Sequence, residues 1–471
     1  MKGDFTRDTF KRHQHFTRVL MQQSRVQLDS DWNEQTAIFW DYLRHVVTDL
    51  LGPYAGPETD CGFAIKAEGD LDDMGLDDKA KREFCDRMQG AGDFLIGKGR
   101  YYVDGLMCEN HRSVTYSEQA NYLETNLLDA KHTRHLVYLD VWEHYVSLDE
   151  DPAIGEPALR GADTCGRAKI VWQVRTLPLH KKHELFEDLT DGAKVWENWD
   201  GISRILDRHP RGHLKARAGA ELPNAGSPLQ GGYRGLENQL YRVEIHEGGE
   251  AGEGAMFKWS RENGSVVLPI VAPVEGNTVT LGRWSRDRRS NLQAGDWVEI
   301  SDDATALHTA PQPLLQVQQI HSDLMQVVLS GTLTSNTGQD LSKHPVLRRW
   351  DQKPTQRKNT EEPEGAIPIR EGEGERNWIA LENGIEIQFQ ETPTGSQNHY
   401  RSGDYWLIPA RSATGGIDWP ASNGEPEAAP PHGIDHHYGP LAILEFQGSG
   451  VLHTTGNCRR TFHMTHKFTI D

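Results

Sequence analysis

Hydrophobic positions follow three patterns along the chain. Over the first 28 residues they have no period: Phe5, Val19, Leu20, Met21, Val26 and Leu28 lie scattered among Gln, Arg and His, which predicts an extended arm that must pack on something else. A helical pattern follows. Asp29-Ser30-Asp31 offers N-cap oxygens, Glu34 sits in the first turn, and Phe39, Leu43, Val46, Val47 and Leu50 recur at helical spacing until Gly52-Pro53 ends the run. Trp32 and Trp40 widen the apolar surface beyond one stripe, which suits either a helix buried in a domain or a helix packed against copies of itself.

From Cys61 onward the period shortens to two. Phe94-Leu95-Ile96, Arg100 to Val103, His135 to Trp142 and Ala168 to Val174 read as strands, and Asp104-Gly105 is a hairpin signal. A second strand-rich block runs from Tyr241 through Phe257-Lys258-Trp259, Val266 to Leu268, Thr278 to Leu281, Asp296 to Ile300 and Leu324 to Leu329. Trp378 to Phe389 and Tyr405 to Ile408 resume the pattern near the end. The expected class is therefore mainly β: several sandwich-like or barrel-like domains with an N-terminal extended arm and one long helix. The division expected along the chain is 1–55 for arm and helix, used for attachment or oligomerisation, then 56–180 for a first β domain. Residues 181–240 form a connector with a short amphipathic helix through Val195, Trp196, Trp199, Ile202 and Leu206; 241–350 form a second β domain, 351–377 a charged linker, and 378–471 a C-terminal β region.

Charge narrows the partners. The 50 Lys and Arg against 69 Asp and Glu give a net −19, too acidic for wrapping nucleic acid or lying on anionic lipid, so neither nucleic acid nor membrane insertion is expected. The longest apolar run, Val266 to Val274, is broken by Pro269 and Pro273 and is far shorter than the roughly 20 residues of a membrane span. Met1 to Asp8 is charged where a secretory signal would be apolar, which predicts cytoplasmic synthesis without a signal peptide. Five cysteines, at 61, 85, 108, 165 and 458, form no C-x-x-C pair and read as free thiols.

Candidate chemistry is sparse. His432, His436, His437 and Cys458 are the weak candidates for a metal, since imidazole and thiolate suit Zn²⁺, but their spacing fits no known finger and no metal is expected. Asp70-Leu71-Asp72-Asp73-Met74-Gly75 imitates the opening of a calcium loop, yet Lys81 stands where the closing carboxylate belongs. His180-Lys181-Lys182-His183-Glu184 lacks the order of a zinc protease helix. The basic run Arg283 to Arg289 reads as a salt-bridged or subunit-contacting loop. G-x-S-x-G elbows, Cys–His pairs and phosphate loops do not occur. No catalytic residue, no cofactor and no enzyme activity is therefore expected, although carboxylates of a glycan hydrolase brought together by folding would leave no local signature.

Several blocks carry a resemblance: Lys2-Gly3-Asp4-Phe5-Thr6-Arg7, Val19 to Gln35, Val141-Trp142-Glu143-His144, Trp172 to Arg175, Tyr241 to His246, Phe257 to Gly264 and Tyr400 to Arg411. Over nearly its whole length the chain resembles an uncharacterised bacterial family of phage-tail-like proteins encoded among the genes of contractile injection systems. The resemblance implies a structural component near the baseplate or its fibres, held by assembly contacts with baseplate, sheath, tube or fibre proteins. It also implies a homo-oligomer, in a particle either released or held at the envelope. Phe5, Val19, Leu20, Val26, Leu28 and Trp32 are the expected attachment contacts, the competing expectation being that they fold back on their own β domain. A carbohydrate- or receptor-binding module, using exposed Trp and Tyr, is the alternative function.

Overall fold

The computed structural model describes residues 1–70, 78–88, 90, 92–119, 127–128, 134–179, 184–187, 189–207, 211–219, 232–285, 290–308, 311–333, 336–352, 365–392, 397–448 and 450–463. The architecture is mainly β, as the strand pattern predicts. Its longest pairing joins Arg134–Val146 to Arg167–Pro178 in antiparallel register from His135–Pro178 to Val146–Arg167. Val137, Leu139, Val141 and Val174 put one face of this pair into the first core, together with Phe63, Phe94, Tyr101 and Leu106. Leu136 and Tyr138 put the other face under the short helices Gly192–Glu197 and Trp199–Leu206, which cover it with Val195, Trp199 and Ile202. Both faces are thus dry, which is why His135 to Trp142 is buried without interruption.

Three of the expected divisions differ from the structure. The stretch 181–240 is more than a connector, because its helices close one side of the first sheet and its strand His213–Ala218 pairs with Ile385–Gln390. The stretch 378–471 is shared between two bodies. Tyr405–Arg411 pairs with Gln239–Glu247 in a five-stranded sheet, whereas His437–Gln447 lies beside Arg134–Val146 with Val451–Asn457 outside it. Alternation shows which face of a strand is apolar, not which distant strand fills the edge beside it.

The stretch 241–350 also divides. Gln239–Glu247 and Met256–Ser260 belong to the five-stranded sheet, over a core of Tyr241, Val243, Phe257, Phe389 and Trp406. From Val267–Pro269 onward the chain builds a six-stranded antiparallel sheet, in the order Val267–Pro269, Val346–Trp350, Trp297–Ser301, Leu314–His321, Gln326–Leu329, Thr278–Thr280. A bridge between Ile270 and Leu281 joins its two ends, with Val271 N donating to Thr280 O at 3.1 Å and Gly282 N to Pro269 O at 2.8 Å. The sheet closes into a small barrel around Val279, Val298, Val327 and Leu347, leaving no free edge there.

The long helix, α1, spans Asp29–Leu51. Its cap differs from the expected one: Leu28 is the N-cap residue, Leu28 N donates to Asp31 Oδ2 at 3.2 Å, and Asp29 instead accepts from Thr6 N at 2.9 Å. Only Ser30 and Ile38 of α1 are buried. Half-buried Trp40 touches the first core, and Arg44 Nε donates to Asp104 O at 3.2 Å. Asp104 and Gly105, with φ of 47° and 79°, form the two-residue turn between Gly99–Val103 and Leu106–Asn110, the conformation that Asp-Gly favours.

A Cβ on Gly105 would stand 2.5 Å from Arg44 O, against the backbone of α1. Gly105→Ala should therefore cost backbone strain plus displacement of α1, about 2–3 kcal/mol together. Gly161, also left-handed with φ +77° but with open space around its Cβ position, should cost only about 1 kcal/mol as Ala. Urea midpoints of the two variants, with limited proteolysis at α1, check the difference.

Candidate functional site

Three of the sequence blocks singled out above converge where the arm begins. Glu244 faces Lys258 on one neighbouring strand and Tyr405 on the other. Tyr241, Val243 and Ile245 point into the core of the five-stranded sheet, so alternation sends Arg242, Glu244 and His246 to its opposite face. That face is also buried. Lys258 Nζ lies 2.7 Å from Glu299 on the barrel strand Trp297–Ser301 and 3.6 Å from Glu244. Lys2 Nζ, from the arm, lies 2.9 Å from Glu244, and Arg242 Nε lies 2.5 Å from it. Trp350 Nε1 donates to Glu299 at 2.9 Å, and the ammoniums of Lys258 and Lys2 stand 4.3 and 5.5 Å from its ring centroid.

The same cluster grips the backbone of the arm. Asn263 Nδ2 donates to Met1 O at 3.1 Å and to Gly3 O at 2.9 Å, Arg242 Nη1 donates to Met1 O at 3.3 Å, and the Met1 ammonium donates to the Tyr405 hydroxyl. Phe5 then packs edge-on against Tyr145 at 5.5 Å. Burial alone would raise the carboxyl pKa values here, but Lys2, Arg242 and Lys258 hold Glu244 below the usual carboxylate range, and Lys258 and Lys2 hold Glu299 down to about 2. Burial, aided by the Lys258 charge, pushes His246 down to about 4.

Beyond Phe5 the arm runs out along α1 and returns. Thr9 Oγ1 donates to Glu34 at 2.5 Å, Arg12 pairs with Asp41, and Val19 N donates to Gln35 Oε1 at 2.8 Å. The six expected attachment residues therefore separate. Phe5 is an internal contact and Val19 is half-buried against α1. Leu20, Val26, Leu28 and Trp32 are exposed, Val26 at 83% and Trp32 at 77%. Phe16, Met21, Phe39, Tyr42, Leu43 and Leu50 are exposed as well, although Phe39, Leu43 and Leu50 look like a core stripe in the sequence. The signal in the sequence is the seven-residue step Trp32, Phe39, Val46, flanked by Leu43 and Leu50, which marks a seam for another chain as readily as an internal face.

The remaining candidates have separate partners. His432 Nδ1 accepts from Leu407 N at 3.3 Å, with the ring stacked on Tyr405, and burial lowers its pKa. His436 Nδ1 sits 2.6 Å from Asp140, and His437 Nδ1 2.9 Å from Asp104. Cys458 is a buried thiol pushed up to about 12 by desolvation. All five cysteines are free. Among the described residues no group of His, Cys, Asp or Glu is placed to hold a metal ion. Asp70 accepts from Ala67 N at 2.8 Å and from Thr454 N at 3.0 Å, so it ties its loop to a strand; the other acidic members of the calcium-like run lie outside the described residues. His180 to His183 and Arg286 to Arg289 also lie outside them, while Arg283 Nη2 pairs with Asp149 at 2.8 Å. An open cleft lined by Asp191, Trp196, Asn457 and Arg460 has its aromatic ring covered, since the Arg460 guanidinium stands 3.5 Å above Trp196. No helix among the described residues is long and apolar enough to cross a membrane.

The buried charges fix how stability responds to acid. His246 is held below its ordinary value of 6.5, so its contribution is complete above pH 6.5 and is lost as pH falls toward about 4. Glu299, depressed from 4.5, keeps its contribution above pH 4.5 and loses it toward about 2. Between pH 7.5 and 5 the His246 contribution should fall by about 2 kcal/mol. Urea unfolding at both pH values should show His246→Gln losing less stability than the parent chain over that interval.

No curated protein and no solved structure matches the chain. Residues 1–196 and 228–467 match a family described as a family of unknown function, and these spans take in the arm, α1 and the charged cluster. The chain belongs to that family, DUF6519.

Proposed function

We propose that the chain is a structural component of a phage-tail-like contractile injection particle, placed at the baseplate or its fibres and attached through the returning arm and α1. The observation that carries this reading is the large apolar surface those two elements leave in water. Ten large side chains from Phe16 to Leu50 are exposed there, on the order of 1,000 Å² of apolar residue surface at about 150–250 Å² for each aromatic and somewhat less for each aliphatic. The largest such patch on an ordinary monomer is about 300–600 Å². The root of the arm, by contrast, is fixed by Lys2, Arg242, Glu244 and Asn263, so the exposed part is presented on a firm base.

Deleting the arm would also remove Lys2 from Glu244, confounding attachment with folding. Surface substitutions avoid that. Native particles sedimented from the source cells should contain this chain at a fixed ratio to sheath and tube proteins, at low and high salt. Leu20→Asp combined with Val26→Asp should leave the fold intact and reduce incorporation roughly ten-fold or more, since two desolvated apolar contacts are worth at least about 1.4 kcal/mol. Absence of the parent chain from the pellet, quantified by mass spectrometry, would overturn the reading.

A further inference from the structure

This inference rests on the reading of the arm and α1 as an attachment surface, and it names the occupant. The surface has two halves of opposite charge. The exposed returning stretch, residues 13–28, carries Arg18 and Arg25 and no acidic side chain, net +2, in a chain whose total is −19, whereas Lys2, Arg7 and Arg12 are already paired with Glu244, Asp418 and Asp41. The exposed returning part holds Arg18 and Arg25 beside Leu20 and Val26. Residues 29–51, which are α1, carry one basic against five acidic side chains, net −4. The halves are neighbours: Val19 N bonds Gln35, which stands three residues after Trp32 and four before Phe39 and so shares their side of α1.

We propose that a second copy of this chain covers the surface, in a two-fold arrangement that lays the basic returning arm of each copy on the acidic α1 of the other. In a two-fold interface every contact occurs twice, with the roles of the partners exchanged. A surface with one basic and one acidic half therefore satisfies both halves with a single geometry. Packing α1 directly on α1 would oppose two helices that keep a net −3 even with Arg12 on Asp41, so the arm-on-helix arrangement is selected. The seam is long enough: α1 has 23 residues, or about 34 Å at 1.5 Å per residue. The area suffices too, since on the order of 1,000 Å² of exposed apolar residues exceeds the roughly 800 Å² each partner gives to a standard interface.

Sedimentation velocity on the full chain tests this. At about 50 mM salt and micromolar concentration the species should have twice the 53.1 kDa chain mass, and raising salt to about 500 mM should weaken association at least roughly ten-fold as the charges are screened. Leu20→Asp with Val26→Asp, and separately Arg18→Glu with Arg25→Glu, should each yield a 53.1 kDa monomer with unchanged circular dichroism and thermal transition. A parent chain that stays monomeric at about 50 μM, a dimer that survives both double variants, or one indifferent to salt would each overturn the proposal.

Particle sedimentation separates the two readings. If the parent chain is monomeric but the Leu20→Asp, Val26→Asp variant is lost from particles, the second copy is wrong and attachment stands. If that variant loses the dimer yet enters particles normally, attachment through this surface is wrong and the pairing stands.

Discussion

One ammonium group between two carboxylates, all three shut away from water, decides how the β bodies meet. Lys258 belongs to the five-stranded sheet, Glu244 to the strand beside it and Glu299 to the barrel. Charges buried this deeply are tolerated only as a satisfied set, because removing one member leaves another without compensation at a cost of about 3–5 kcal/mol. The pairing therefore restricts the angle and register at which the barrel can sit on the sheet. Lys2 completes the set from outside, at 2.9 Å from Glu244. The position of the arm follows from the same constraint.

How far this was legible in the sequence depends on the kind of information each residue carries. Asp104-Gly105 announces its turn because the backbone conformation there is local, and α1 announces itself because period and stop signal lie within 23 residues. The second partner of Arg134–Val146, His437–Gln447, is some three hundred residues away, and no local pattern names it. Arg242, Glu244 and Lys258 read as the wet face of alternating strands, yet they are among the driest residues, because a barrel and an arm cover them. Phe39, Leu43 and Leu50 show the converse: periodicity establishes that one side of α1 is apolar, not that the protein covers it. Phe5 sits among scattered apolar residues indistinguishable by pattern, and only the fold separates it, against Tyr145, from exposed Leu20.

With so few buried side chains, α1 is held mainly at points: Thr6 on Asp29, Arg12 on Asp41, Trp40 on the first core and Arg44 at the Asp104-Gly105 turn. Most of the stability of a helix in water comes from packing one face against something apolar. Any chain that covers the seam therefore stabilises α1 by mass action while it binds. Attachment and ordering of this helix are thermodynamically linked.

The crossing of the two ends of the chain has a kinetic consequence. His437–Gln447 lies beside Arg134–Val146, and Thr461–Phe462 runs parallel to Tyr54–Pro57. The first sheet begins at residue 134 and gains its inner neighbour only once residue 437 has been made, a wait of roughly 15–60 s at about 5–20 residues per second on the ribosome. Throughout that interval Arg134–Val146 can pair with Arg167–Pro178 on one side, but its other edge has no native partner in the nascent polypeptide. Such edges invite pairing with the wrong strand. Translation speed and holding chaperones therefore bear on the yield of this chain.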